Sequence, residues 1–143
     1  MSQTFSTIGD RRTRGTYDAA LALRTPEAAA LSATTSTTRL AFACRKIGAF
    51  KVCFDIEAYT SYSAGTAEWT IAVDVSATVG GSSTVIGTIL PAQLAGAAGE
   101  LEIVFGGAEI AAKLATAEAI GLVCTKTGSP GNLTLAAWIV PIQ

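Results

Sequence analysis

Ile120-Gly121-Leu122-Val123-Cys124-Thr125-Lys126 and Leu133-Thr134-Leu135-Ala136-Ala137-Trp138-Ile139-Val140, separated by Thr127-Gly128-Ser129-Pro130-Gly131-Asn132, form the stretch whose reading decides the fold. Two apolar, strand-like runs around a Gly/Pro/Asn turn predict an antiparallel hairpin. With no histidine anywhere in the chain, such a hairpin points to a scaffold that packs and binds.

Working outward, Phe50 to Tyr59 alternates with period two. Phe50, Val52, Phe54, Ile56 and Ala58 fall on one face, and Lys51, Cys53, Asp55, Glu57 and Tyr59 on a half-exposed one. After the turn Ser63-Ala64-Gly65, Glu68 to Ser76 alternates again, with Trp69, Ile71, Val73 and Val75 inward. These two runs are expected to pair as another hairpin. A strand is also expected over Thr37 to Ala43, where β-branched threonines favour extended chain. Thr84 to Leu90 follows the loop Gly80-Gly81-Ser82-Ser83 and is stopped by Pro91. Glu100 to Phe105 turns Leu101, Ile103 and Phe105 inward, with Glu100, Glu102 and Val104 outward.

Seven or eight strands punctuated by regular turns predict an all-β fold, an antiparallel jelly roll or β-sandwich, with at most one or two short helices. Ala108 to Ala115 carries helix formers, with Ile110 and Leu114 four apart. Pro26 to Leu31 reads either as a short helix capped by Thr25 or as an irregular lead-in to the first strand. Residues 1–15 show neither period and are expected to form an extended N-terminal arm, leaving residues 16–143 as a single β-sandwich domain.

The chain has 143 residues, enough for one domain that buries about 68–70% of the surface its unfolded chain would expose. No run approaches the ~20 apolar residues of a membrane helix, and Met1 to Thr7 lacks a signal-type apolar run, so synthesis in the cytoplasm and no membrane partner are expected. Charged residues make up only 15% of the chain, and weakly charged surfaces associate readily. Between Met1 and Lys51 eight basic residues face three acidic ones, while from Val52 onward two basic residues face eight acidic ones. That asymmetry either steers association or is neutralised within the fold.

Without histidine no Ser-His-Asp or Cys-His arrangement can be built, and the commonest metal ligand is missing. No catalytic residue, metal or cofactor is therefore expected. Asp55 with Glu57 and Glu100 with Glu102 read as solvating charge on strand faces. Cys44, Cys53 and Cys124 fit no zinc spacing and read as buried, reduced thiols. Arg11, Arg12 and Arg14 lack interleaved aromatics and suit an acidic protein surface better than nucleic acid. Trp69 is in phase with the core. Trp138 is out of phase with Leu135, Ala137 and Ile139, so it reads either as core or as facing outward to a subunit neighbour, a candidate oligomer-interface residue.

The stretch Ile120 to Val140 resembles the last hairpin of the small jelly-roll capsid cement (decoration) proteins of tailed bacteriophages, where a strand, a Gly-Ser/Pro-Gly turn and a Leu-Thr-alternating strand close the domain. The layout is similar from about Thr37 to Val140, while the motif itself lies in the last twenty or so residues. The resemblance implies a structural virion protein, synthesised in the host cytoplasm, that binds the major capsid protein on the outer surface of an icosahedral head. It implies self-association, commonly as a homotrimer, and stabilisation without catalysis. No ligand residues carry over. Arg11, Arg12 and Arg14 are candidate capsid-binding residues from their charge. The alternative is a carbohydrate- or ligand-binding jelly-roll module of a phage tail or appendage.

Overall fold

Strand identity in this chain follows from period-two alternation, and the two cleanest alternations supply the centres of the two sheets. In the computed structural model, which describes residues 18–142, a 3-10 turn (Ala19–Leu21) leads into β1 (Ala22–Arg24), followed by β2 (Thr35–Ser36) and β3 (Leu40–Ala41). The long strands are β4 (Ala49–Ile56), β5 (Glu68–Ser76), β6 (Ser83–Ile89), β7 (Gly99–Gly106), β8 (Ala119–Thr127) and β9 (Leu135–Ile142). A second 3-10 turn (Pro91–Gln93) precedes β7, and the helix α1 (Gly107–Lys113) follows it.

The first sheet has the order β1-β9-β4-β7 and the second β2-β8-β5-β6, with β3 also pairing with β8. Every pairing is antiparallel. The chain therefore crosses repeatedly between two packed sheets, the double Greek key of a jelly roll. Between the sheets lie Phe50, Val52, Phe54 and Ile56 from β4 and Trp69, Ile71, Val73 and Val75 from β5, with Ile120 and Leu122 from β8 and Leu135 and Ile139 from β9. Phe50 anchors one end, edge-on to Phe42 at 5.2 Å between ring centroids and tilted against Phe105 at 5.5 Å.

Both expected hairpins are corrected. β8 and β9 are strands, but β8 pairs with β2, β3 and β5 while β9 pairs with β1 and β4. β4 and β5 likewise lie in opposite sheets. The reason is geometric. A tight hairpin needs about two to five loop residues, whereas residues 128–134 and 57–67 are long enough to arch the roughly 10 Å between sheets. Gly128 begins the first arch at φ +67°, and a side chain there would collide with the Thr66 carbonyl. The connection from β5 to β6 is the local hairpin, and a register shift in it leaves Ile86 without a partner opposite.

Further details concern the early chain. The strand expected over Thr37 to Ala43 is reduced to β3, while β2 lies just ahead of that span and Arg39 sits between the two. Of the two readings of Pro26 to Leu31 the structure has the irregular one: Pro26 and Glu27 form a turn, and Leu31 bridges to Leu133. β1 was not legible, because Ala22-Leu23-Arg24 is too short to show a period. The helix expected near Ala108 to Ala115 is α1.

Arg39 explains how the second sheet closes its outer face. Its Nη2 donates to Asp74 Oδ2 at 3.0 Å, and its Nη1 donates to the Gly81 carbonyl at 3.1 Å. Asp74, on β5, is 1% exposed, so this is a shielded ion pair with several hydrogen bonds. The side chain crosses β8 at Gly121, where a Cβ would sit 2.8 Å from Arg39 Cγ. One arginine thus ties the β2–β3 segment, β5 and the β5–β6 loop together.

Candidate functional site

The register of the first sheet lays out its outer face row by row. Ala22, Trp138, Cys53 and Glu102 lie side by side across β1, β9, β4 and β7. The next rows are Ala136, Asp55 and Glu100, and on the other side Val140, Lys51 and Val104. Trp138, Cys53 and Ala136 are buried and form an apolar cluster separate from the main core, with Val140 packed against it. Lys51 Nζ donates to Glu102 Oε2 at 3.1 Å, and the Cys53 thiol points at the same oxygen, 3.9 Å away.

Two sequence expectations change here. Trp138 does face outward, yet it is only 1% exposed. The face of β4 expected to be half exposed buries Cys53 completely and Asp55 to 8%. A strand alternation separates the two faces of a sheet but carries no information on whether the outer one is covered. Asp55 stands directly across from Glu100 in the β4–β7 pairing, so the carboxylates that are brought together are Asp55 and Glu100, not the within-strand pairs. Arg11, Arg12 and Arg14, with the whole of the expected arm (residues 1–15), lie outside the described residues.

A second feature is the flank where β6 and β7, the edge strands of the two sheets, face each other. Phe105 lies across from Gly87, within 2.9 Å of where a Cβ would be. α1 straddles the gap, with Lys113 Nζ donating to the Ile86 carbonyl at 3.4 Å. Beneath the helix, Ile86, Ile103, Phe105 and Ile110 line an open cavity of about 150 Å³, with Glu109 and Lys113 among its lining. The unpaired Ile86 of the β6 irregularity is turned toward this space, a common use of a bulge at a sheet edge. Val85 on β6 and Val104 on β7 are 51% and 61% exposed, and Val79 and Leu90, flanking β6, are exposed too. Val104 is outward as its alternation predicts, and Val85 is outward on the other sheet.

The three thiols are free and buried. Burial pushes the Cys124 thiol up to about 11, against the opposing pull of Arg24, and burial also raises Cys44. Neutral thiols of this kind are poor nucleophiles. No cluster of three or more metal-ligating side chains occurs among the described residues, and no helix there is long and apolar enough to cross a membrane. No known protein-family model matches this chain, and no curated protein sequence matches it.

Proposed function

We propose that this chain is a structural protein of an assembled shell, a jelly-roll cement protein that self-associates, as a trimer, and stabilises the outer surface of an icosahedral phage head by binding its major capsid protein. The observation that carries this reading is the β6/β7 flank. Val85 and Val104 are exposed on the edge strands β6 and β7, Val79 and Leu90 are exposed beyond the two ends of β6, and a cavity lined by Ile86, Ile103, Phe105 and Ile110 lies between the two edges. Unpaired strand edges flanked by exposed apolar side chains are features of protein–protein contact surfaces. The resemblance of Ile120 to Val140 to capsid cement proteins points the same way.

The ligand-binding alternative is less well supported. Trp69 and Trp138, the best sugar-stacking candidates, are buried at 3% and 1% exposure. The Tyr59 hydroxyl accepts from the Trp69 backbone N–H at 3.2 Å, which ties that ring to the core. The cavity is also smaller than the roughly 300–1,000 Å³ of ordinary ligand pockets.

Light scattering during size exclusion tests the first half of the proposal, with a stable oligomer of the 14.5 kDa chain expected. Co-sedimentation with undecorated phage shells tests the second. A monomer at micromolar concentration that fails to sediment with any shell would refute it.

A further inference from the structure

The edges of the two sheets are not equally guarded. β1 is three residues long with a register shift against β9, and β2 and β3 are two residues each. β6 carries the irregularity at Ile86, and Lys113 Nζ donates to the Ile86 carbonyl at 3.4 Å. Short strands, bulges and lysines are the usual protections of a sheet edge. Among the described residues β7 has none of them: it pairs with β4 in unbroken register from Gly99 to Gly106, and no strand lies on its other side. Its inward side chains also show an incomplete flank. Leu101 and Ile103 are half-buried, whereas Phe50, Val52 and Phe54 on the neighbouring β4 are fully enclosed. The cavity under α1 opens beside residues 103–105 of the same strand.

We infer that β7 pairs with β7 of a second copy, antiparallel about a two-fold axis at Ile103. The strand's own residues select both the occupant and the register. Residues directly opposite one another share a face, so Leu101, Ile103 and Phe105 oppose inward residues of the second copy and the axis passes through a residue. An axis at Leu101 sets Glu100 against Glu102 of the second copy, and an axis at Glu102 sets that carboxylate against itself. Like charges directly opposite are destabilising. An axis at Val104 pairs only residues 102–106. The axis at Ile103 pairs residues 100–106, faces Glu102 with Val104 and Glu100 with Gly106, and leaves Lys51 on Glu102. It also sets Leu101 of the second copy opposite Phe105, beside the cavity, so each copy completes the flank of the other. The inference takes from the functional reading only that copies associate. A two-fold contact adds to the three-fold contact of the proposed trimer, since local two-fold axes of an icosahedral surface lie between local three-fold axes.

The test is a cysteine scan of the full-length chain under mild oxidation, using L101C, I103C and V104C one at a time. The three native thiols are buried, and the unsubstituted chain serves as the background. On the axis, the two copies of residue 103 stand about 4.5–5.5 Å apart between Cα atoms, within reach of a disulfide. The two copies of residue 104 are about 8 Å apart and those of residue 101 farther still, beyond that reach. I103C is therefore expected to give roughly fivefold or more disulfide-linked dimer than either neighbour. Independently, alternate β7 amides of the unsubstituted protein are expected to gain hydrogen-exchange protection as protein concentration rises. Strongest linking at L101C or V104C overturns the inference, as does β7 exchange that is indifferent to concentration. If I103C fails to fold, the exchange measurement decides alone. A trimer in which I103C does not link overturns the inference and leaves the functional proposal standing, whereas I103C dimers that bind no phage shell support the inference and count against that proposal.

Discussion

The two sheets of this jelly roll solve the same problem, an outer face, in opposite ways. The β2-β8-β5-β6 sheet seals its own: Arg39 reaches over Gly121 to the buried Asp74 and to the Gly81 carbonyl, and Thr70, Ala72 and Thr125 need no cover. The β1-β9-β4-β7 sheet instead places Trp138, Cys53 and Asp55 outside the sandwich and buries them there. The first face is closed by one charged side chain. The second buries an apolar cluster of Trp138, Cys53 and Ala136 on its outside. The difference teaches that in a small, weakly charged sandwich the polarity of an outward position does not by itself say whether it meets water.

The sharpest way to break this comparison is to truncate one outward residue on each face. Trp138→Ala is expected to cost about 3–5 kcal/mol, as for a core aromatic, because the ring is fully enclosed. Thr125→Ala, outward and exposed on β8, is expected to stay within about 0.5 kcal/mol. Urea unfolding of both variants measures this. Equal, small effects would mean that the first sheet's face is ordinary surface.

Next in size is the seal itself. Arg39→Met removes the cation and leaves Asp74, 1% exposed, as a buried carboxylate with no arginine. Loss of one partner of a buried pair costs about 3–5 kcal/mol, and the lower end is expected because Arg39 is itself 14% exposed. The double variant Arg39→Met/Asp74→Leu should recover much of the loss, since no unpaired charge then remains. A double-mutant cycle by thermal unfolding checks this, and strict additivity would show that the two residues do not act as a pair.

How much of this was legible in the sequence can be followed residue by residue. The inward sets Phe50/Val52/Phe54/Ile56 and Trp69/Ile71/Val73/Val75 could be read because alternation against polar neighbours is a local signal. Partner choice is not local. β4 and β5, or β8 and β9, look like hairpins to any reading of adjacent runs, and only the length of the arches hints otherwise. Trp138 was legible as out of phase but not as buried, since alternation along one strand does not say whether the outer face meets water. The Arg39–Asp74 pair spans 35 residues with no motif to announce it. The β6/β7 flank arises from two edge strands meeting across the sandwich, which again depends on topology.

Alkaline titration separates the inner side of the sealed sheet from its surroundings. Cys124 faces the core from β8, and its thiol is pushed up to about 11. An acid whose folded pKa exceeds its unfolded value, near 8.5 for a thiol, leaves stability intact below the unfolded value. Stability is then lost as pH climbs toward the folded one. The fold should therefore be insensitive to pH from neutrality to about 8.5 and lose on the order of 2–3 kcal/mol by pH 11 through this group. Cys44 and Tyr59, both raised by burial, add in the same direction. Cys124→Ala should flatten the profile measured by denaturant unfolding between pH 8 and 11. An unchanged profile would place the alkaline loss elsewhere.

The smallest effect on stability is expected at the flank that the functional proposal uses. Val85 lies on the outer face of the sealed sheet, opposite Asp74 across the β5–β6 pairing, and Val104 on the outer face of the other sheet, opposite Lys51. Both are more than half exposed, so Val85→Lys and Val104→Lys remove little buried area and should shift unfolding by no more than about 0.5 kcal/mol. Their effect on assembly should be large. A lysine on an edge strand is a recurrent way of preventing edge-to-edge pairing, and the double variant places one on each strand bordering the cavity. Light scattering should then show loss of the oligomer with an unchanged melting temperature. Each single substitution should give an intermediate shift, with Val104→Lys the weaker if Glu102 on the same face takes up the new charge. An oligomer that survives both lysines would move the contact surface away from β6 and β7 and remove the observation on which the functional proposal rests.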